Sequence, residues 1–135
     1  METSIQPDIL LAEDGAADGR LVLDILTHAN PALKVEWVRD GDAALARLFD
    51  GGPRPRLILL DIMMPGLDGL ELLYRIKSHP ATRDIPVVML TALEKEDIIV
   101  SSYKLGVAGY VAKPIRHAAL LEVLEAAGCG WVADA

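Results

Sequence analysis

Five short apolar runs, each followed by a longer stretch of helical spacing, alternate strictly along this chain. That order fits repeated strand–helix units, whose parallel strands need a crossover helix between them. The runs are "DILLAED", "KVEWVRD", "RLILLD", "IPVVMLTA" and "GYVAK". The third is charged only at its ends, as expected of a central strand covered on both faces. The second sets Val35 and Trp37 on one face and Glu36 on the other, which predicts a less buried strand. In the fourth, Ile85, Val87 and Val88 supply β-branched side chains.

The intervening stretches carry helix signals. "ADGRLVLDILTHAN" presents Leu21, Val22, Ile25 and Leu26 as an apolar face and stops at Asn30 and Pro31. "DAALARLFDGG" closes on Gly51 and Gly52, and "LELLYRIKSHP" places Leu72, Leu73 and Ile76 at helical spacing before Pro80. "EKEDIIVSSYKLG" has acids in its first turn, Lys104 in its last and Gly106 beyond it, the arrangement the helix dipole favours. "RHAALLEVLEAAG" reads as the last helix, ending at Gly128. Right-handed crossovers then give a doubly wound α/β fold, a three-layer αβα sandwich around a five-stranded parallel sheet. One domain over residues 1–135 is expected, with a core of about 8–127 and a short tail, 128–135.

Composition narrows the function. With 135 residues, 52% of them hydrophobic, the chain can bury a core but has no room for two full domains. A formal net charge of -7 disfavours direct nucleic-acid binding, which needs clustered Lys and Arg. Cys129 is the only cysteine, so no internal disulfide can form and a cytoplasmic location is expected. The N-terminal "METSIQPDILLAEDG" lacks a basic stretch before a long apolar run, so no signal peptide is expected, and no uncharged run reaches membrane-spanning length.

In open parallel sheets, ligands bind outside the carboxyl ends of the strands. Four of the five runs deliver a reactive side chain to that rim: Glu13 and Asp14 after the first, Asp61 after the third, Thr91 from the fourth, Lys113 from the fifth. Acids and threonines often end strands merely by bonding turn amides, which accounts for any one of them alone better than for the set. Two carboxylates about 4 Å apart repel by about 4 kcal/mol at an effective dielectric of about 20, so three together need a divalent cation or Lys113. Oxygen ligands with room for phosphate suit Mg²⁺ better than zinc. His28, His79 and His117 read as helix-surface residues. A carboxylate can act as nucleophile in phosphoryl transfer, and Asp61, between the acidic pair and Lys113, is the natural candidate.

With "LLAEDG", "VRDGDAAL", "LILLDIMMPGLDGLELL", "IPVVMLTA" and "GVAGYVAKP" in this order, the chain resembles the receiver domains of two-component response regulators from about Ile9 to Ala126. Separations of 47 residues from Asp14 to Asp61, 30 to Thr91 and 22 to Lys113 also suit that family. The resemblance implies a flavodoxin-like (βα)5 fold with strand order 2-1-3-4-5. It implies that Asp61 accepts phosphate from a histidine kinase or phosphotransfer protein. Glu13, Asp14, Asp61 and the Met63 backbone carbonyl would hold Mg²⁺, while Thr91 and Lys113 would bind phosphoryl oxygens. Tyr110 would change rotamer with Thr91, and the Lys113–Pro114 bond would be cis. The output would be protein contacts, with a downstream protein or a second copy, through the face of the fourth helix, fifth strand and fifth helix.

Ile98, Ile99 and Val100 are consecutive on the fourth helix, so one of them is expected to face solvent or a partner. Tyr110 also has a plain reading as a half-buried strand aromatic, and the Met63 and Met64 side chains read as space-fillers. Pro65, Gly66 and Gly69 make the turn that lets Asp61 stand clear.

Several residues depart from the family pattern. Glu13 replaces the commoner aspartate, Gly15 a common polar residue and Ile115 a common Phe. The apolar Met63 and Leu93 are expected to flank the phosphate and hinder hydrolytic water. A Mg²⁺-dependent phosphohydrolase would want a second acid where Met63 stands. A flavin carrier would want a phosphate loop where "EDGAADG" stands. The serious alternative is a receiver-like interaction module that is never phosphorylated.

Overall fold

A computed structural model of the chain describes residues 7–64, 67–92 and 96–133. The elements are β1 (Ile9–Ala12), α1 (Ala16–Ala29), β2 (Val35–Val38), α2 (Gly41–Leu48), β3 (Leu57–Asp61) and α3 (Gly69–Ser78). They continue with β4 (Val87–Ala92), α4 (Glu96–Lys104), β5 (Gly109–Lys113), α5 (His117–Ala126) and a 3-10 turn over Gly130–Ala133. All strand pairs are parallel and the order is β2-β1-β3-β4-β5, so this is the flavodoxin-like three-layer sandwich.

Strand periodicity divides the core in two. Ile9, Leu11, Leu57, Leu59, Val88, Leu90 and Val111 face one side, where Val22, Ile25 and Leu26 of α1 and Leu120 and Leu124 of α5 cover them. Leu10, Ala12, Ile58, Leu60, Val87 and Met89 face the other, under Ala44 and Leu48 of α2 and Leu72, Leu73 and Ile76 of α3. A strand buried on both faces cannot alternate polar and apolar residues, which is why β1 and β3 read as unbroken apolar runs. Each such leucine contributes about 1.5–3 kcal/mol through burial, so Leu59→Ala would cost about 2–5 kcal/mol.

The helix starts and stops follow local chemistry. Asp40 caps α2 by accepting from the Ala43 amide at 2.7 Å, and Asp68 caps α3 by accepting from the Glu71 amide at 2.8 Å. Gly106 follows α4 at φ 100, a left-handed conformation that glycine adopts without a Cβ clash.

Two expectations are corrected. Leu21 is 38% exposed and not part of the α1 core face; it lies about 100° around the helix from Val22, beyond the reach of the sheet. Ile85 and Pro86 precede β4 instead of opening it, because the Ile85 amide is spent on the Thr82 carbonyl in a turn. The tail after α5 is short but packed, with Cys129 and Val132 buried against the α1–α5 side. There the Arg56 guanidinium lies 3.7 Å from the centre of the Trp131 ring. The edge strand β2 is half-buried along its whole length and so less buried than β1 and β3, as expected. Val100 is the exposed member of the apolar triplet on α4, at 54%.

Candidate functional site

The carboxyl ends of β1, β3 and β5 converge because the register is in step: Ala12 pairs with Leu60, Asp61 with Leu90 and Ala92 with Lys113. Residues just beyond these pairs therefore share one rim. Carboxylate oxygens of Glu13, Asp14 and Asp61 all lie within 4.8 Å of one another. The Lys113 ammonium sits among the acids, 3.1 Å from Glu13 Oε1 and 3.4 Å from Asp61 Oδ2. The Lys113–Pro114 bond is cis, as the resemblance implies.

Glu13 is the most constrained of the acids. Its amide donates to the Val38 carbonyl at 3.1 Å, and its own carbonyl accepts from the Trp37 indole N–H at 2.9 Å. Glu13 Oε2 accepts from the Gly15 amide at 3.1 Å, while the buried Oε1 is ion-paired with Lys113 but, among the described residues, accepts no hydrogen bond. Burial raises the Glu13 carboxyl to about 7, helped by the hydrogen bond with Asp61 and the Asp61 charge, against the Gly15 amide and Lys113. For Lys113, burial pulls the ammonium down, but the charges of Asp61 and Glu13 outweigh it and the net shift is upward. Both shifts reflect burial first, and then the mutual charges of Glu13, Asp61 and Lys113. A buried oxygen with no hydrogen bond beyond that ion pair, within a set of hard oxygen ligands, fits a divalent cation.

The other expected residues occupy varied positions. Asp14 is exposed, and its backbone carbonyl accepts from Arg39 at 2.9 Å. The Met63 amide donates to Asp61 Oδ1 at 3.2 Å, which ties the loop after β3 to the site. Met64 fills core space as expected, but the Met63 side chain does not: it is 60% exposed, because the loop turns it outward once Ile62 and Met64 take the inward positions. Thr91 is buried one residue past the partner of Asp61, and its hydroxyl donates to the Ala92 carbonyl at 3.1 Å. Tyr110 is half-buried, its ring edge-on to Tyr103 of α4 with centroids 6.2 Å apart. Gly69 lies so close to the chain after Asp61 that a Cβ there would stand 2.5 Å from Ile62 Cα, consistent with a structural role. Pro65, Gly66 and Leu93 lie outside the described residues. His28, His79 and His117 are exposed, as expected.

Sequence reasoning missed two contributors. Asp18, on the first turn of α1, places Oδ2 3.2 Å from Lys113 Nζ, making a third ion pair to that ammonium. Trp37 reaches Glu13 because residue 19 is glycine: a Cβ there would stand 2.0 Å from the indole. An acid in the first turn after the acidic pair was a visible signal for Asp18; the approach of α1 to Trp37 was not.

A parallel α/β sheet that gathers an acid triad and a lysine at its carboxyl rim belongs to the open α/β class whose ligands bind at that rim, with groups suited to a cation and an anion. The response regulator receiver domain family model matches residues 9–125, and the chain belongs to that family. It is 39% identical over 129 residues to the response regulator Rcp1 of Synechocystis, covering 92% of this chain and 88% of that protein. The bacteriophytochrome response regulator RtBRR superposes with a TM-score of 0.82 at 37% identity, covering 92% of this chain and 79% of that one. The phosphorylated cyanobacterial phytochrome response regulator RcpA superposes with a TM-score of 0.80 at 37% identity, covering 97% of each chain. Receiver domains are signalling domains, generally not classed as enzymes, and those of response regulators interact with histidine kinases and downstream effectors. Among the described residues, no helix is long and apolar enough to cross a membrane.

Proposed function

We propose that Asp61 is a phosphoacceptor that takes a phosphoryl group from a histidine kinase or histidine phosphotransfer protein with Mg²⁺ bound. One observation carries this reading: the Asp61 carboxylate lies within 4.8 Å of two other acids and 3.4 Å from a lysine ammonium, at the rim of a parallel sheet. One Asp61 oxygen attacks phosphorus, the bond from phosphorus to the donor imidazole nitrogen breaks, and that nitrogen leaves with the electron pair. The product is an acyl phosphate on Asp61.

Glu13, Asp14 and Asp61 would hold the cation, with the Met63 carbonyl as a further ligand. Bound there, Mg²⁺ supplies positive charge that offsets the phosphoryl oxygens. Lys113 pairs with a second phosphoryl oxygen, and the Thr91 hydroxyl gives up its bond to the Ala92 carbonyl to reach a third. The relatedness to RcpA, solved in a phosphorylated form, supports this assignment.

A phosphoryl group adds about 1.5 to 2 negative charges and three acceptor oxygens. Its partners sit on β4 and β5, so the change falls on the face made by α4, β5 and α5. Tyr110 moves with Thr91, and its contact with Tyr103 carries that motion to α4, where Tyr103 and Val100 are exposed. A downstream protein or a second copy reads this face, in the cytoplasm.

Acetyl phosphate or phosphoramidate with Mg²⁺, followed by intact mass, tests the proposal. The parent gains one phosphoryl group and Asp61→Asn gains none. A folded, Mg²⁺-binding parent that stays unmodified would instead mark a receiver-like interaction module.

A further inference from the structure

Among the described residues the Lys113 ammonium has three carboxylate neighbours, and they are not equivalent. Glu13 Oε1 at 3.1 Å and Asp61 Oδ2 at 3.4 Å belong to the acid triad. Asp18 Oδ2 at 3.2 Å does not. Asp18 also stands in the first turn of α1, where the helix dipole favours an anion, and its side chain is 39% exposed while that of Glu13 is 1% exposed.

We propose that Asp18 is a positioning residue: its carboxylate holds the Lys113 ammonium at the mouth of the Asp61 site when Glu13 and Asp61 are engaged with other charge. The inference rests on the phosphoacceptor reading for its consequence, but the ion pair itself is observed in the structure. Glu13 and Asp61 each face a conflict, since an oxygen committed to a divalent cation brings a like charge towards Lys113. Asp18 is free of that conflict, so it is the one partner that Lys113 keeps. Without it the lysine side chain, 23% exposed and with four rotatable carbon links, turns towards water.

The first test does not measure phosphorylation. Acetic anhydride labelling of Lys113 in the full chain with saturating Mg²⁺, read by peptide mass, should proceed severalfold faster in Asp18→Asn than in wild type. Asp18→Glu should restore slow labelling. Equal labelling of Lys113 in wild type and Asp18→Asn overturns the proposal.

The second test is a double-mutant cycle on phosphorylation by phosphoramidate at saturating Mg²⁺. Asp18→Asn should slow the reaction about twofold to fivefold, the size of a part-exposed charge pair. In a Lys113→Gln background it should add nothing, because Asp18 acts through the lysine. The same fractional loss in both backgrounds overturns the proposal. A wild type that takes up no phosphate sinks the phosphoacceptor reading instead, and the labelling result still decides whether Asp18 holds Lys113.

Discussion

Glu13→Gln is the sharpest perturbation of the acid triad. Glu13 is 1% exposed, and its carboxyl is raised from 4.5 to about 7 by burial first, then by Asp61. Between those two values the folded protein holds a proton that the unfolded chain has released. The native state then binds more protons, so stability falls as the pH rises through that window and the loss is complete above it. A shift of that size corresponds to about 3 kcal/mol. Glutamine has nearly the same shape and no charge. The variant should therefore be more stable than wild type by about 1–3 kcal/mol at about pH 8 without metal, the lower end allowing for the lost pairing with Lys113. At about pH 5 the wild-type carboxyl is neutral in the folded protein and part-ionised in the unfolded chain, and the difference should lie about 2.5 kcal/mol lower than at about pH 8.

Urea unfolding of both proteins in EDTA across this range measures the difference, and the shared histidines cancel in it. Added Mg²⁺ should stabilise wild type by mass action at the higher pH and leave the variant almost unchanged. A difference that stays constant from about pH 5 to about pH 8, or a wild type that is the more stable at the high end without metal, would refute the reasoning.

Trp37 should report the cation directly, because its indole donates to the Glu13 carbonyl; Mg²⁺ should change the fluorescence of wild type, and Trp37→Phe should lose that response while Trp131 remains. Gly19→Ala should destabilise the protein by about 1–3 kcal/mol in chemical unfolding, because the new methyl overlaps the indole by more than helix propensity recovers. Met63→Asn should shorten the life of the phosphorylated form severalfold, as followed by intact mass after donor removal, because a polar side chain there admits and orients water.

Much of the fold was legible because its signals are local. The unbroken apolar runs of β1 and β3, the caps at Asp40 and Asp68 and the glycine after α4 each follow from a few neighbouring residues. The convergence of Glu13, Asp14, Asp61 and Lys113 was also legible, since strand ends in a parallel sheet must share a rim. The errors lie where tertiary contacts decide. Leu21 looks like a core residue until the limited width of the sheet contact is known, and Ile85 looks like strand until Thr82 claims its amide. Met63 looks like a space-filler because its chemistry matches Met64, and only the loop path separates them. The part played by Asp18 depends on the angle at which α1 leaves the sheet, and that angle is set by a glycine against an indole.

The indole N–H of Trp37 has a wider consequence. β2 is an outermost strand, with β1 on one flank only, yet one of its side chains is bonded to the main chain of a triad acid. Anything that tugs on that margin, such as an added strand, therefore pulls on the acid triad through this bond and through the Glu13 amide bonded to Val38. Charge changes at the acid triad and events at the sheet's β2 border are in this way mechanically joined.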